Sequence, residues 1–339
     1  MVSTLRQSPV TGPAPLASTW STQASNSAPA PLPAPVRWQR LPGADQGLRY
    51  RLSRWGALLA AHLRPHRLQP AAAAHHACRC EPTGALRERF AELFDLRTGG
   101  DDVPDYPFLY AQGVIDLLQA RVLADLGVNG RHVRLLRHRT RLLAEEAASL
   151  STGSQDIDCR LVRVVRVGPT EVVALLETCI ADAGGRTLVQ LEDVYAVRDL
   201  QVAYAVQAAE DDLLRRAVSR MRRHGREIDA AAAGVRQRQL FVAPDAGRRF
   251  ARLAGGPAAW PRPARAGMPW WRARRPAVAP MYLRHLVTRE LAEWGLDSSS
   301  LQMVFIGRAA AGQMLRLLMQ GRSFELIDER GRLVAFGKA

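Results

Sequence analysis

Two stretches, Ile180-Ala-Asp-Ala-Gly-Gly-Arg-Thr-Leu-Val-Gln-Leu191 and Leu326-Ile-Asp-Glu-Arg-Gly-Arg-Leu-Val-Ala-Phe336, follow the same pattern. Each reads as an apolar strand, an Asp, a turn that contains Gly and Arg, and a second apolar strand, which is the pattern of a β-hairpin. Upstream of each copy lies an amphipathic helix, followed by a strand, a Gly-containing turn and another strand. The pattern therefore predicts a duplicated α+β unit.

Hydrophobic periodicity places the remaining elements around these hairpins. Helices are predicted at 86–96, at 106–126, within 204–234 and at 281–294. Strands are predicted at 132–143, 157–167, 171–181, 187–197, 301–306, 314–319, 323–328 and 333–336. The Ala-rich stretch 70–82 is predicted to be a loop.

The chain of 339 residues has room for about two domains of ~150 residues each. We predict a disordered tail rich in Ala, Pro and Ser at 1–35, because it has little to bury. An N-terminal half at 36–200, a linker with a helix at 201–238 and a C-terminal half at 239–339 follow it.

Composition restricts the class of protein. No apolar run approaches the ~20 residues of a membrane helix, and no secretory signal is evident, so we expect a cytoplasmic protein without membrane association. The four cysteines are expected to be free thiols. The net charge of +15 rests almost entirely on Arg, since Lys338 is the only lysine, and it favours attraction to polyanions such as nucleic acid or coenzyme A phosphates.

Several segments resemble the MaoC-like hydratases and dehydratases. Residues 240–256, which include Gly-Arg-Arg-Phe-Ala-Arg-Leu-Ala-Gly-Gly, are similar to the family's Arg-(Tyr/Phe)-Ala-x-(Leu/Val)-Ser-Gly-Asp stretch. Residues 276–283, Pro-Ala-Val-Ala-Pro-Met-Tyr-Leu, resemble the Pro-Ile-Ala-His-Gly-Met segment that opens the family's central helix. Residues 308–317 resemble the following Arg-x-Pro-x-x-x-Gly-Asp-x-Leu segment, and 106–126 the central helix of the non-catalytic half.

The resemblance covers most of 85–339 and implies a double hotdog, an α+β fold in which two antiparallel sheets each wrap around a long central helix. It also implies the reversible dehydration of (3R)-hydroxyacyl thioesters. In that chemistry a carboxylate and an imidazole act as base and acid, and a backbone N–H at a helix start stabilises the enolate-like thioester oxygen. The family supplies these groups with an Asp-x-x-x-x-His motif and with a Gly before the helix.

All three contributions are missing at the matching positions of this chain. The Asp position is occupied by Gly256, the His position by Pro261 and the helix-start Gly by Pro280, which has no N–H to donate. The substitutions predict a degenerate catalytic site. Candidate substrate-binding residues are Gly113, Trp270, Trp271, Met281 and His285, of which the two tryptophans could plug the substrate tunnel.

Alternative sites have weaker patterns. The first half offers Gly113 at a helix start, but no Asp-x-x-x-x-His precedes it; the nearby acids are Asp95, Asp101, Asp105 and Asp116, and His132 lies beyond the helix. The stretch His75-His-Ala-Cys-Arg-Cys80 contains metal-ligand residue types but lacks a second distant pair, so we interpret it as a surface loop. No nucleotide-binding or metal-dependent motif is found, and no cofactor is expected.

The sequence therefore predicts a MaoC-like protein with a degenerate catalytic motif, within lipid or polyketide metabolism. It would bind the thioester of acyl-CoA or acyl carrier protein, or form homo- or hetero-oligomers as the structural partner of another hotdog subunit. Two alternatives stay open: an active dehydratase that uses relocated residues, and a nucleic-acid-binding protein that uses Arg215–Arg226 and the Arg- and Trp-rich stretch 260–275. Nucleic acid is disfavoured because no recognised nucleic-acid module accompanies the charge.

Overall fold

The computed structural model of the protein describes most of the chain from residue 74 onward. All the described residues belong to one unit, Pro33–Ala339. The described residues are 36–38, 74–81, 84–94, 111–143, 154–198, 212–254 and 277–339. The predicted tail at 1–35 and the predicted site positions Gly256, Pro261, Trp270 and Trp271 lie outside them.

Eleven strands and five α-helices are formed by the described residues. The helices are α1 (Gly84–Phe94), α2 (Gln112–Asp125), α3 (Asp212–Arg223), α4 (Ala246–Ala254) and α5 (Pro280–Glu293). The strands are β1 (Val36–Trp38), β2 (His75–Cys80), β3 (Val133–Leu142), β4 (Gln155–Gly168), β5 (Glu171–Ala181), β6 (Thr187–Val197), β7 (Arg236–Phe241), β8 (Gln302–Phe305), β9 (Met314–Gln320), β10 (Ser323–Asp328) and β11 (Leu333–Lys338).

The strands form one continuous sheet in the order β1-β2-β4-β5-β6-β3-β8-β11-β10-β9-β7. Neighbouring strands are antiparallel, except that β1 runs parallel to β2. We predicted two sheets, but β3 and β8 pair through Arg137–Val304, His138–Met303 and Arg139–Gln302 and join them. The reason is that each half would otherwise leave unpaired backbone N–H and C=O groups on an edge strand.

Both copies of the repeated hairpin form, and their turns have the same hydrogen bonds. The carboxylate of Asp182 accepts the backbone N–H groups of Gly184 and Arg186 at 2.9 and 3.0 Å. The carboxylate of Asp328 accepts those of Arg330 and Arg332 at 2.9 and 2.8 Å. A glycine with positive φ completes each turn, Gly185 at 83° and Gly331 at 73°. The repeat seen in the sequence is thus a repeat of turn geometry.

The central helices α2 and α5 pack on the same face of the sheet, which we call the inner face. Alternate residues of each strand point to it, so the hydrophobic core joins helix residues such as Ile115, Leu118 and Val287 to strand residues such as Leu176 and Leu317. Helix α2 is buried over most of its circumference, as predicted from its apolar sequence. The double hotdog predicted from the resemblance is therefore confirmed.

The linker between the halves lies on the opposite, outer face. Helix α3 packs against β4 and buries the apolar side chains of Ala217, Val218 and Met221. The chain then continues onto the second half, where Ile228 packs on Leu318 and Ile327. The helix predicted within 204–234 is thus present, and its apolar stripe is what attaches it to the sheet.

One element was predicted wrongly, and strands β1 and β7 and helix α4 were not predicted. The stretch His75–Cys80 is strand β2 rather than a surface loop: His76, Cys78 and Cys80 alternate with more exposed neighbours and point into the core. Strand β7 was not predicted because most of its side chains are exposed and polar, so no apolar alternation marks it. No helix among the described residues is long and apolar enough to cross a membrane.

Candidate functional site

The start of α5 is the part of the family's catalytic constellation that the structure describes. The helix begins with Pro280 at its first position, after Ala279 in an extended conformation with φ −64° and ψ 142°. A proline at the first helical turn fits the helix because that position needs no N–H for an intrahelical bond. It also removes one of the backbone donors that a helix start would otherwise offer to an anion.

The next donors of this turn are partly used within the helix. The N–H of Tyr282 donates to the carbonyl of Ala279 at 3.1 Å, and the N–H of Leu283 donates to the same oxygen at 3.4 Å. Met281, predicted as a substrate-binding residue, lies in this turn and is buried. The described part of the site therefore presents a proline ring and a buried methionine where the resemblance implies an N–H donor.

The structure brings two of the predicted site regions together. Gln112, the first residue of α2 and the neighbour of buried Gly113, meets His285 on α5: the Nε2 atom of His285 is 3.2 Å from the Oε1 atom of Gln112. The Nε2 atom of Gln112 donates in turn to Asp116 at 2.6 Å. The starts of α2 and α5 are thus joined through side chains.

His285 is held in its neutral form. Burial lowers its pKa well below the ordinary value, and the positive charge of Arg284 lowers the pKa further. The hydrogen-bond partners define the tautomer, because Nε2–H donates to the amide oxygen of Gln112 while Nδ1 accepts from Arg284 at 3.1 Å. Both ring nitrogens are occupied, so this imidazole is unsuited to accept or deliver a substrate proton without rearrangement.

Aromatic rings from three helices enclose the first two turns of α5. Phe94 of α1 stacks on Tyr282 with ring centroids 5.3 Å apart, and Phe250 of α4 meets Tyr282 edge-on at 5.8 Å. The same two phenylalanines contact the ring of His285 at 5.7 and 6.1 Å, and Phe90 meets Phe250 edge-on at 6.4 Å. All five rings are buried, which explains the strong desolvation of His285.

A chain of buried hydrogen bonds continues from α5 into the first half. Arg284 donates from Nη2 to the hydroxyl of Thr140 at 3.2 Å. The same hydroxyl lies 3.0 Å from Nε2 of His138, and Nδ1 of His138 lies 2.7 Å from the carboxylate of Asp193. We call these four residues and Gln119 the polar chain. Its members are all buried, and it links a cation on α5 to an anion on β6.

At the end opposite Arg284, the polar chain is completed by Gln119 of α2 and by its partner Tyr195. Gln119 donates from Nε2 to the other carboxylate oxygen of Asp193 at 2.6 Å. The hydroxyl of Tyr195 donates to the amide oxygen of Gln119 at 2.6 Å. Burial raises the pKa of Tyr195 well above its ordinary value, and the charge of Asp193 raises it further, so the tyrosine stays protonated. Every donor in this part of the chain meets an acceptor.

The polar chain contains the residue types of acid–base chemistry, and its members are hydrogen-bonded to one another. His138 and Asp193 are 0% and 2% exposed, and both nitrogens of His138 have partners within the protein. Arg284 and Asp193 supply one positive and one negative charge, so the buried chain is electrically balanced. Because both charges are buried, the removal of either one is costly.

Sequence reasoning missed His138, Thr140 and Asp193, although a signal was present. His138 and Thr140 are alternate residues of β3, and Asp193 and Tyr195 are alternate residues of β6, so each pair lies on one face of a predicted strand. The register of β3 on β6 places His138 directly opposite Asp193. The alternation could have shown polar residues pointing inward, whereas the register could not be derived from the sequence.

The remaining candidates have local roles. His75 and His76 on β2 contact the carboxylates of Asp158 and Asp125, the latter at 2.6 Å. The four cysteines are free thiols, and burial raises the pKa of Cys80 to about 12 and that of Cys179 to about 11, so these two thiols stay protonated. Within the described part of the chain, no group of three or more His, Cys, Asp or Glu residues could hold a metal ion.

The acids and the histidine that were considered near Gly113 either have separate local contacts or lie outside the described residues. Asp116 accepts the hydrogen bond from Gln112, and His132 ends the short 3₁₀ turn Gly130–His132, where its carbonyl accepts the N–H of Arg198 at 3.1 Å. Asp95, Asp101 and Asp105 lie outside the described residues.

Comparison with known proteins supports the fold. No protein-family model and no curated protein sequence matches the chain. Among solved structures, a MaoC-domain dehydratase from Chloroflexus aurantiacus is similar at a TM-score of 0.54 and 10% identity, with 81% of this chain and 96% of that chain covered. A MaoC-like dehydratase from Phytophthora capsici has a TM-score of 0.53, 12% identity and coverages of 78% and 95%.

HtdX from Mycobacterium tuberculosis is also similar, with a TM-score of 0.51, 14% identity and coverages of 78% and 98%. At such low identity the likeness concerns the course of the backbone and not the site residues. The match extends over nearly the whole of each of these structures and over both halves of this chain. The chain therefore has the double-hotdog fold of the MaoC-like dehydratases.

Proposed function

We propose that the protein binds acyl thioesters, carried by coenzyme A or by an acyl carrier protein, and that it does not catalyse their hydration or dehydration. The proposal rests on the fold, which it shares with solved dehydratases, and on the chemistry of the residues at the start of α5. It makes the protein a member of the MaoC-like group whose catalytic site has degenerated.

One observation carries the proposal: α5 begins at Pro280. Dehydration and hydration both pass through an enolate-like thioester oxygen, whose negative charge needs a preorganised donor. A missing oxyanion donor typically lowers the rate by about 10²- to 10³-fold. Proline leaves that oxygen without the N–H that a glycine would supply, while the helix itself is unharmed because proline is well tolerated at its first position.

The acid–base groups support the same conclusion. The motif positions hold Gly256 and Pro261, neither of which can transfer a proton. The nearest buried imidazole on α5, His285, is neutral and bonded at both nitrogens. His138 and Asp193 form an Asp–His pair, but both are enclosed by the polar chain. Relocated catalysis at either histidine would need those bonds to open.

The test is a pair of measurements on the purified full-length protein. Hydration of a trans-2-enoyl-CoA is followed by the loss of enoyl absorbance, and binding of the saturated decanoyl-CoA is followed by calorimetry. We expect saturable binding with no turnover above the uncatalysed rate. Turnover that copurifies with the protein and disappears in His138→Gln would show instead that the chemistry has moved to the polar chain.

A gain-of-function variant provides a second test of the proposed loss of catalysis. The triple variant Gly256→Asp, Pro261→His and Pro280→Gly restores the three residue types of the family motif. We expect it to acquire measurable hydration, whereas Pro280→Gly alone acquires none because no acid or base accompanies the new N–H. If the protein binds no acyl-CoA and the triple variant stays inactive, the acyl-binding role is wrong and a purely structural role beside another hotdog subunit is favoured.

A further inference from the structure

Helix α3, on the outer face of the sheet, presents a row of arginines to solvent. Arg216, Arg220 and Arg223 follow one another at intervals of four and three residues, so they lie on one face of the helix. All three are exposed, whereas Val218 and Met221 on the opposite face are buried. We call the three exposed side chains the arginine row. The packing of α3 on β4 therefore directs the row away from the sheet.

The arginine row carries positive charge that no described carboxylate neutralises. Arg216 and Arg220 form no hydrogen bond or ion pair with any residue that the structure describes. Arg223 donates from Nη2 to the hydroxyl of Ser219 at 2.8 Å, which is a neutral partner. Because a guanidinium group stays protonated in proteins, the row presents three positive charges to solvent.

Two carboxylates that contact α3 or the segment after it serve other groups. Glu171 of β5 forms a bidentate pair with Arg222 of α3, with Nη1 2.9 Å from Oε2 and Nη2 in contact with Oε1, and Arg198 donates to the same carboxylate at 3.2 Å. Glu227 lies 3.3 Å from Nδ1 of His224. Arg222 is thus neutralised and does not belong to the arginine row.

The surroundings of the row favour a partner that is bound by charge. A helix enters a lipid surface with its apolar face, and that face of α3 is already used against the sheet. Protein interfaces are centred on apolar or aromatic anchors. On β4, beneath α3, the only exposed large apolar side chain among the described residues is Val162, and one such side chain is not a patch. A polyanion fits these features better than a membrane or a protein.

We propose that the arginine row binds the phosphate backbone of duplex DNA without reading its bases. The row extends over about 10 Å of helix, since each residue advances the axis by about 1.5 Å. Over that length a DNA duplex presents about six phosphate charges. Guanidinium groups suit phosphate because their planar fork donates two parallel hydrogen bonds to its oxygens.

This binding would be independent of base sequence and of the acyl site. No recognised nucleic-acid module accompanies the row, and non-specific binding to phosphates has dissociation constants of about 10⁻⁴ to 10⁻⁶ M at physiological salt. Helix α3 lies on the outer face, whereas the start of α5 lies on the inner face, so the inference does not rest on the proposed function. The stretch 260–275, predicted as an alternative nucleic-acid surface, lies outside the described residues.

The experiment measures binding of a fluorescein-labelled DNA duplex to the purified full-length protein by fluorescence anisotropy at several salt concentrations. The double variant Arg216→Gln/Arg220→Gln should weaken binding about tenfold or more near 0.1 M salt. It should also reduce the slope of log K against log salt concentration by about two, one for each lost phosphate contact. Two duplexes of different sequence should be affected equally, because the row contacts no bases.

The matched control is Arg248→Gln/Arg252→Gln on α4. These two arginines are also exposed and four residues apart on one helix, and neither pairs with a described carboxylate. Helix α4 packs against α1 and α2 instead of the outer face. The control loses the same charge and should bind the duplex nearly as tightly as the unmodified protein. Arg216→Lys/Arg220→Lys keeps the charge and should retain the salt slope.

Four outcomes would overturn the inference. Absence of salt-dependent DNA binding by the unmodified protein is the first. Equal losses in the α3 and α4 variants would mean that the net charge of +15 attracts DNA from every side. Row-dependent binding to vesicles that contain phosphatidylglycerol, without binding to the duplex, would assign the row to a membrane surface. Tighter row-dependent binding of polyglutamate than of DNA would assign it to an acidic protein.

Discussion

The inner faces of the two halves differ although their hairpin turns match. On the first half, the sheet beneath α2 carries inward-pointing Thr178, Asp193 and His138, and α2 adds Gln119. On the second half, the corresponding strands carry apolar side chains such as Phe324 and Leu326, and Val287 occupies the place of Gln119 as the eighth residue of its helix. The two halves thus share the hydrogen bonds of their hairpin turns, whereas the side chains beneath their central helices differ.

The difference has a consequence for how the halves depend on each other. Arg284 belongs to the second half, but its buried charge is balanced through Thr140 and His138 by Asp193 of the first. A buried cation without its anion is strongly destabilising. We therefore infer that neither half is stable alone. Variants that remove polar groups from the first half or add them to the second test this inference.

The largest effect is expected from Asp193→Ala. The change leaves His138 and Gln119 without their acceptor and Arg284 without a balancing charge, which should lower the free energy of unfolding by about 3–5 kcal/mol. Urea denaturation followed by circular dichroism measures it. Asp193→Asn, which keeps the shape and one acceptor oxygen, is the control and should lose less. A loss below about 1 kcal/mol in Asp193→Ala would mean that the polar chain contributes little to stability.

Exchanging the residues at the eighth position of α2 and α5 tests the difference between the two halves. Gln119→Val removes the donor to Asp193 and the acceptor of Tyr195, and Val287→Gln places an amide in an apolar core without partners. Each variant should lower the free energy of unfolding by about 1–3 kcal/mol. If Val287→Gln were as stable as the unmodified protein, the core beneath α5 would contain hydrogen-bonding capacity, and the contrast between the halves would be wrong.

The neutral His285 predicts a pH dependence of stability. Its pKa is lower in the folded protein than in the unfolded chain, so below about pH 6.5 the unfolded chain binds the extra proton. The stability that the neutral imidazole contributes should be fully present above about pH 6.5. Below that pH, the free energy of unfolding should fall by up to about 1.4 kcal/mol per pH unit. Urea denaturation of the protein and of His285→Gln at pH 7.5, 6.5 and 5.5 gives the difference. Parallel curves would contradict the assignment.

The smallest effects are expected where the halves agree. Gly185→Ala and Gly331→Ala each place a side chain at positive φ, which should cost about 1 kcal/mol in both variants. No atom lies within 4 Å of the added Cβ at position 185, and the nearest at position 331 is a distal nitrogen of Arg226 at 3.7 Å, so steric contact adds little. Thermal unfolding of the two variants should give equal shifts. Clearly unequal shifts would show that the turns are not equivalent.

The hairpins could be predicted from the sequence because their determinants are local. Alternating apolar residues define the strands, and Asp with a following glycine defines each turn; accordingly β5, β6 and β10 span the predicted ranges. Strand β2 was predicted as a loop because its alternation is carried by His, Ala, Cys and Arg, which are weak markers of burial in a single sequence. The boundaries of the predicted domains stay a proposal.

The candidate site was only partly predictable. The resemblance pointed to Pro280 and Met281, and helical spacing placed His285 four residues after Met281. The structure adds that Gln112 bonds to His285 and that aromatic rings enclose it. Gln112 and His285 are 173 residues apart, and Thr140 and Arg284 are 144 apart. Such contacts depend on how α2 and α5 pack on the sheet, which no local pattern contains.

The repeated hairpins, the two central helices and the proline at the start of α5 could be predicted from the sequence alone, since each follows from the conformational preferences of neighbouring residues. The tertiary structure was needed to show that the two halves share one sheet through β3 and β8, and that a buried polar chain connects α5 to β6. Strand register and side-chain contacts between distant segments depend on the burial and charge balance of the whole fold, which no short stretch of sequence contains.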